Sequence, residues 1–157
     1  MNSINIVLKE ATNDDVYGIR KCNMNCLPVY YPYGYYTSVI ESNKYIVLVS
    51  KHDDDIVGYI IGEVSSEIPD RFHIISFSVQ SKYRKNKIGT YLMNKIIELA
   101  QKRYFNINKI SLYVMASNDI AIKFYLKVGF LKEKILKNYY ESFNQDGYLL
   151  IKKLNRF

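Results

Sequence analysis

Between residues 72 and 100 the hydrophobic period of the chain switches from that of a strand to that of a helix across a short basic turn. That switch limits what the chain can fold into. From Phe72 to Gln80 the run FHIISFSVQ puts His73, Ile75, Phe77 and Val79 on one face of a strand. From Ile88 the apolar positions become Ile88, Leu92, Ile96, Leu99 and Ala100, the stripe of an amphipathic helix. SKYRKNKIGT, residues 81 to 90, joins the two and carries Lys82, Arg84, Lys85 and Lys87. A helix that starts straight after a strand leaves its first amides without acceptors, and its dipole adds partial positive charge there. Such a turn suits a phosphate, although a solvated basic turn or a nuclear-import-like patch has the same composition. The basic side chains add full charges, and Gly89 lets the backbone come close to the ligand.

The rest of the chain fits an α/β domain around this unit. Ile4, Ile6 and Leu8 alternate as a first strand, and Thr12 with Asp15 forms a capping box for a helix running to about Cys26. LPVYYPYGYY is an aromatic loop, followed by a short helix from Tyr35 to Glu41. KYIVLVSKHDDDIVGYIIGEV reads as an antiparallel hairpin whose tip holds His52 and three aspartates, a solvated turn more than a calcium loop. Lys109 to Met115 is a further strand, and Asp119 to Val128 is a helix capped by Ser117-Asn118-Asp119 and stopped at Gly129. Segments around Phe130 to Leu136 and Tyr148 to Leu154 add two strands, with KNYYESFNQDG as the loop between them. The expectation is one domain over residues 1–157, a mixed, mostly antiparallel sheet of about six to seven strands flanked by about four helices.

A formal net charge of +7 favours a negatively charged ligand or surface: a phosphorylated cofactor, RNA, a ribosome or acidic lipid. No apolar run reaches the roughly 18 residues of a membrane span, and MNSINIVLKEATNDD lacks a signal-peptide pattern, so a cytoplasmic location, with the nucleus as a further candidate and no membrane partner, is expected. Cys22 and Cys26 are the only cysteines and read as reduced thiols. With His52 and His73 far apart in sequence, no metal-ligand spacing occurs, and no metal is expected.

YRKNKIGTYL resembles the acetyl-CoA pyrophosphate loop of the GCN5-related N-acetyltransferases (GNAT), whose pattern is Gln or Arg, two residues, Gly, one residue, then Gly or Ala. Arg84 fits the first position and Gly89 the last, while Lys87 replaces the first glycine. That departure strains the turn by about 1 kcal/mol if φ is positive there, or supplies another phosphate contact. SNDIAIKFYLKVGF, residues 117 to 130, resembles the second signature of the family, an asparagine-capped helix followed by tyrosine and Gly-Phe. The resemblance implies a V-shaped splay between the strands carrying Val79 and Val114, with the pantetheine arm of acetyl-CoA in the gap. The residues it assigns to acetyl-CoA are Phe77, Ser78, Val79, Arg84, Lys85, Asn86, Lys87, Ile88, Gly89, Thr90, Asn118, Ala121, Tyr125 and Lys127.

Two further stretches narrow the resemblance. CNMNCLPVYYPYGYY and KNYYESF look like the peptide-gripping loops of protein N-terminal acetyltransferases, above all the NatE-type catalytic subunit that acts on methionine-starting chains. By that likeness Leu27, Pro28, Val29 and Tyr31 line the first side-chain pocket with Ile75, and Tyr139, Tyr140 and Phe143 cover the peptide. Plain core or surface packing is the other reading of these tyrosines, but adjacent tyrosines in proline-containing loops make better ligand walls than core. The NatE-type pattern has tyrosine at the position of His73 and histidine at that of Tyr113. Here the two are exchanged, and histidine at position 73 also matches the NatA-type pattern.

The expected base is His73, with Tyr113 orienting a water between them, and Tyr125 as hydrogen-bond donor or acid to the CoA sulfur. An α-amino group, with a pKa of roughly 7.7 to 8, demands only a modest base. Backbone N–H groups near Phe77 to Val79 are the expected donors to the thioester carbonyl. The partner so implied is a peptide or nascent-chain N-terminus, with an auxiliary subunit and the ribosome as further candidates and no specific nucleic acid. Two other readings stay open: a lysine or polyamine acetyltransferase of the same fold, and a non-catalytic module holding RNA or the ribosome by its basic face.

Overall fold

The computed structural model describes residues 4–27 and 31–155. Strand β1 (Val7–Glu10) leads through the Thr12–Asp15 capping box into helix α1 (Val16–Cys26), the Thr12 amide donating to Asp15 Oδ2 at 2.8 Å. Lys9 donates to the same oxygen at 2.6 Å, so the carboxylate ties the strand to the helix start. The strand begins at Val7, three residues later than expected: Ile6 and Leu8 do pack on the core, but Ile4 lies outside the ladder and exposed. Helix α2 (Tyr33–Glu41) starts two residues before the expected Tyr35, because Pro32 takes the cap position and its carbonyl accepts from the Tyr35 amide.

Strands β2 (Tyr45–His52) and β3 (Asp55–Val64) form the expected hairpin around Asp53 and Asp54. Strand β4 (Arg71–Val79) runs through the basic turn into α3 (Ile88–Arg103), followed by β5 (Lys109–Met115) and α4 (Asp119–Lys127). The chain closes with β6 (Leu131–Tyr140) and β7 (Gln145–Lys153). Among the described residues seven strands lie in the order β1-β2-β3-β4-β5-β7-β6, and only β4 and β5 pair in parallel. One face of the sheet packs on α3 and α4 through Leu92, Met93, Ile96, Phe72, Ile110 and Tyr125. The other packs on α1 and α2 through Ile19, Cys22, Tyr36, Tyr59 and Ile61.

The β4 register departs from simple alternation. Ile61 stands opposite Ser76 and Gly62 opposite Ile74, so Ile75 is an extra, bulged residue. The expected single face of His73, Ile75, Phe77 and Val79 is therefore wrong. Phe77 and Val79 pack on the α3 side with Phe72 and Ile74, whereas Ile75 packs on the α1 side and Ser76 bonds Tyr59 there. A bulge needs no sequence mark of its own. Here it coincides with Gly62, whose missing Cβ leaves room for the buried ring of Phe72.

The β4–β5 ladder runs from Arg71 and Lys109 to Ile74 and Leu112 and then stops, although both strands continue. That is the expected splay. On its other edge β4 stays bonded to β3, the Gln80 amide donating to the Val57 carbonyl at 2.8 Å. Antiparallel alternation therefore turns Ser76 and Ser78 toward β3 and the N–H groups of Phe77 and Val79 into the gap.

KNYYESFNQDG is not a loop: Lys137 to Tyr140 belong to β6, Gln145 to Gly147 belong to β7, and only a tight turn at Glu141–Phe143 with Asn144 joins them. Tyrosine suits an extended strand, and Gly147 lets the rings of Tyr139 and Tyr140 lie across the partner strand. Gly62→Ala is expected to destabilise the protein by about 1–3 kcal/mol in urea unfolding, because the new methyl overlaps the fully buried Phe72 ring beside the bulge.

Candidate active site

The basic turn is built as an anion cradle. Lys85 and Lys87 both hold left-handed backbone, at φ 64° and 62°, and Lys87 caps α3. Tyr91 is the first helical amide with a backbone acceptor, the Lys87 carbonyl at 3.0 Å; among the described residues the amides from Lys85 to Thr90 have none. Asn86 donates to the Tyr83 and Arg84 carbonyls, and Arg84 Nε to the Val79 carbonyl at 2.9 Å, which tethers the turn to the end of β4. Phosphate oxygens fit these unpaired donors and lysine charges.

Ile88 is buried in the core, so it offers its amide rather than its side chain. Gly89 works differently from the expectation: a Cβ there would meet Phe77 at 3.1 Å and Phe124 at 3.3 Å. Its absence lets α3 approach the strand and α4. Thr90 follows on the half-exposed side of the helix.

The gap between β4 and β5 leads from this cradle into the sheet. Phe77 stacks on Phe124 at 5.4 Å, and Tyr125 lies 6.1 Å from Phe77 between it and Phe130. Burial first, and the neighbouring Tyr140 second, push the Tyr125 phenol well above its ordinary value, so it stays protonated. Its hydroxyl has no hydrogen-bond partner among the described residues. Asn118 is spent on structure, its Oδ1 capping α4 by accepting from the Ala121 amide at 3.2 Å. Ala121 packs on the core and Lys127 is exposed on the last turn of α4. Ser78 is buried, its side chain turned to the α1 side beside Cys22 and its backbone groups toward β3.

His73 and Tyr113 stand on the opposite side of the sheet, where the strands part, with ring centroids 4.9 Å apart. Burial pushes the imidazole below its ordinary value, Glu63 opposes this and Arg71 adds to it, so the ring is neutral at pH 7. Tyr113 lies 4.9 Å from Tyr139, which meets Tyr140 at 5.0 Å. Burial, and then the nearby phenols of Tyr139, Tyr31 and Tyr113, push Tyr140 up to about 12. Tyr31 reaches this group from the α1–α2 connection and stacks on Tyr35 at 4.2 Å.

Tyrosines from two distant segments thus face each other above His73. Leu27 ends α1 half-buried and Ile75 is the bulged residue; Pro28 and Val29 lie outside the described residues. Phe143 stands exposed on the β6–β7 turn and joins no aromatic pair among the described residues. Two contributors escaped the sequence reading. Tyr35 stacks on Tyr31, and Ser111, opposite His73, bonds His73 Nδ1 at 2.8 Å. Only the parallel register brings Ser111 there, and no local pattern carries it.

Residues 16–130 match the model of the acetyltransferase (GNAT) family. The chain belongs to that family. This GNAT chain is 31% identical over 152 residues to an N-alpha-acetyltransferase of Sulfurisphaera tokodaii, covering 91% of this chain and 90% of the relative. Among solved structures, Arabidopsis thaliana Naa50 in complex with the bisubstrate analogue CoA-Ac-MVNAL aligns with a TM-score of 0.78 and 27% identity, over 94% of this chain and 97% of that one. Ard1 from Thermoplasma volcanium shares the fold with a TM-score of 0.84 at 24% identity, over 96% and 99% of the two chains.

The GNAT turn here carries lysine where the family pattern has glycine, and Lys87 φ is positive. Lys87→Gly is expected to raise stability to urea by about 0.5–1 kcal/mol, since glycine adopts left-handed backbone without the Cβ clash. Isothermal titration should show the same variant binding acetyl-CoA several-fold more weakly, through the lost phosphate charge.

Proposed function

We propose that this GNAT enzyme transfers the acetyl group of acetyl-CoA to the α-amino group at the N-terminus of a protein or peptide. The observation that carries the reading is the position of His73 and Tyr113. They sit where β4 and β5 part, on the face opposite the Phe77–Tyr125 side of the gap, under tyrosines from both ends of the fold. A free chain end can enter such a corridor, while an internal lysine would bring two flanking chain segments against the tyrosines.

Acetyl-CoA supplies a thioester, so a C–N bond forms to the amine as the C–S bond breaks. The Lys85–Thr90 amides with Arg84, Lys85 and Lys87 hold its phosphates, and Phe77 and Tyr125 line the arm. The Phe77 and Val79 amides, left free by the splay, donate to the carbonyl oxygen as charge develops there. His73, neutral at pH 7, takes the amine proton through a water that Tyr113 orients. Tyr125, kept protonated by burial, gives its proton or a hydrogen bond to the departing sulfur.

The tyrosine walls and Leu27 support an apolar first residue, methionine foremost, followed by an apolar second one. The charge of +7 supports meeting nascent chains at the ribosome, with an auxiliary subunit as a further partner.

Acetyl transfer to peptides starting Met-Leu, Ser or Glu, compared with an N-blocked peptide bearing an internal lysine, tests the reading. The Met-Leu peptide is expected to be the best substrate, and transfer to the lysine peptide alone would refute it. His73→Ala should lower turnover at pH 7 by about 10²-fold or more without changing acetyl-CoA affinity. Because the His73 pKa is lowered, the acid limb of kcat in the wild type should lie below about pH 6.5.

A further inference from the structure

His73 has one committed nitrogen. Its Nδ1 lies 2.8 Å from the Ser111 hydroxyl, and Ser111 is fully buried, on the last rung but one of the β4–β5 ladder before the strands part. Nε2 has no protein partner among the described residues. Only Nε2 is therefore placed to take a proton from an amine or water in the gap, and it can do so only while its lone pair is free. The ring must then carry its own hydrogen on Nδ1, and that N–H needs a buried acceptor.

We infer that Ser111 is a positioning residue that holds His73 in the Nδ1–H tautomer by accepting from Nδ1 and so keeps the Nε2 lone pair facing the site. The hydroxyl oxygen serves both states of the ring, since Nδ1 bears hydrogen in neutral imidazole of this tautomer and in imidazolium alike. Without it, Nδ1–H becomes a buried donor with no partner, a cost comparable with the preference between tautomers. The hydrogen then moves to Nε2 and the base is lost while the fold stays.

The other groups around the ring do not compete for Nδ1. Glu63 stands opposite His73 on β3 but is held by Lys44 at 2.8 Å. Arg71 precedes His73 by two residues on β4, Tyr113 follows Ser111 by two on β5, and Tyr139 of β6 packs behind Tyr113. Among these only Ser111 bonds the imidazole.

The inference rests on the reading of His73 as base, and one experiment separates the two. ¹⁵N-edited spectra of the resting protein report the His73 tautomer with no turnover involved, in wild type, Ser111→Ala and Ser111→Thr. Wild type and Ser111→Thr are expected to show Nδ1–H, and Ser111→Ala to shift toward Nε2–H. In Ser111→Ala kcat should fall about tenfold, part of the 10²–10⁴ that general-base catalysis supplies, with KM for acetyl-CoA and peptide little changed. A wild-type ring with hydrogen on Nε2, or a Ser111→Ala protein with unaltered tautomer and turnover, overturns the role of Ser111. Full activity in His73→Ala overturns the base itself, and the tautomer spectra still decide whether Ser111 sets the ring.

Discussion

One extra residue in β4 organises this molecule. The bulge at Ile75 lets the strand serve two different neighbours: up to Ile74 it pairs with β5, and beyond Ser76 it stays bonded to β3 alone. A strand that leaves one partner exposes a row of backbone groups, and buried backbone groups must find partners. In this fold the row at Phe77 and Val79 faces the gap where β4 and β5 part. The bulge also moves side chains across the sheet, so His73 faces the α1 side while Phe77 and Val79 face α3. Nucleophile and acyl donor can then approach from opposite faces of one sheet.

The second dependence is electrostatic. The turn after β4 carries lysines at two left-handed positions, conformations that cost about 1–2 kcal/mol for a residue with a Cβ. Few sequences would keep both without compensation. The ties of Arg84 to the Val79 carbonyl and of Asn86 to the Tyr83 and Arg84 carbonyls supply part of it, holding the turn so that its free amides converge. Strain, unpaired donors and charge all fall on the same few residues, where backbone strain tends to gather at functional sites.

The tyrosine-rich composition also has a place. Tyr31 and Tyr35 from one end of the chain, and Tyr113, Tyr139 and Tyr140 from the other, form walls that are apolar in body and polar at the tip. Burial raises the phenols of Tyr31, Tyr35, Tyr139 and Tyr140, so these four remain neutral.

Much of this was legible in the sequence, because it is local. The capping box at Thr12 and Asp15, the β2–β3 hairpin, the stripe of α3, the asparagine cap of α4 and the basic turn all follow from periods and spacings within about ten residues, the range over which backbone preferences act. Two short motifs in order were enough to suggest the family. The tertiary structure decided what depends on partners far along the chain: the extra residue at Ile75, the true faces of β4, the strands hidden in KNYYESFNQDG, and the meeting of His73 with Ser111. Those features arise from register between strands, and register is set by which residues find room and hydrogen bonds across the sheet, information that no single segment contains.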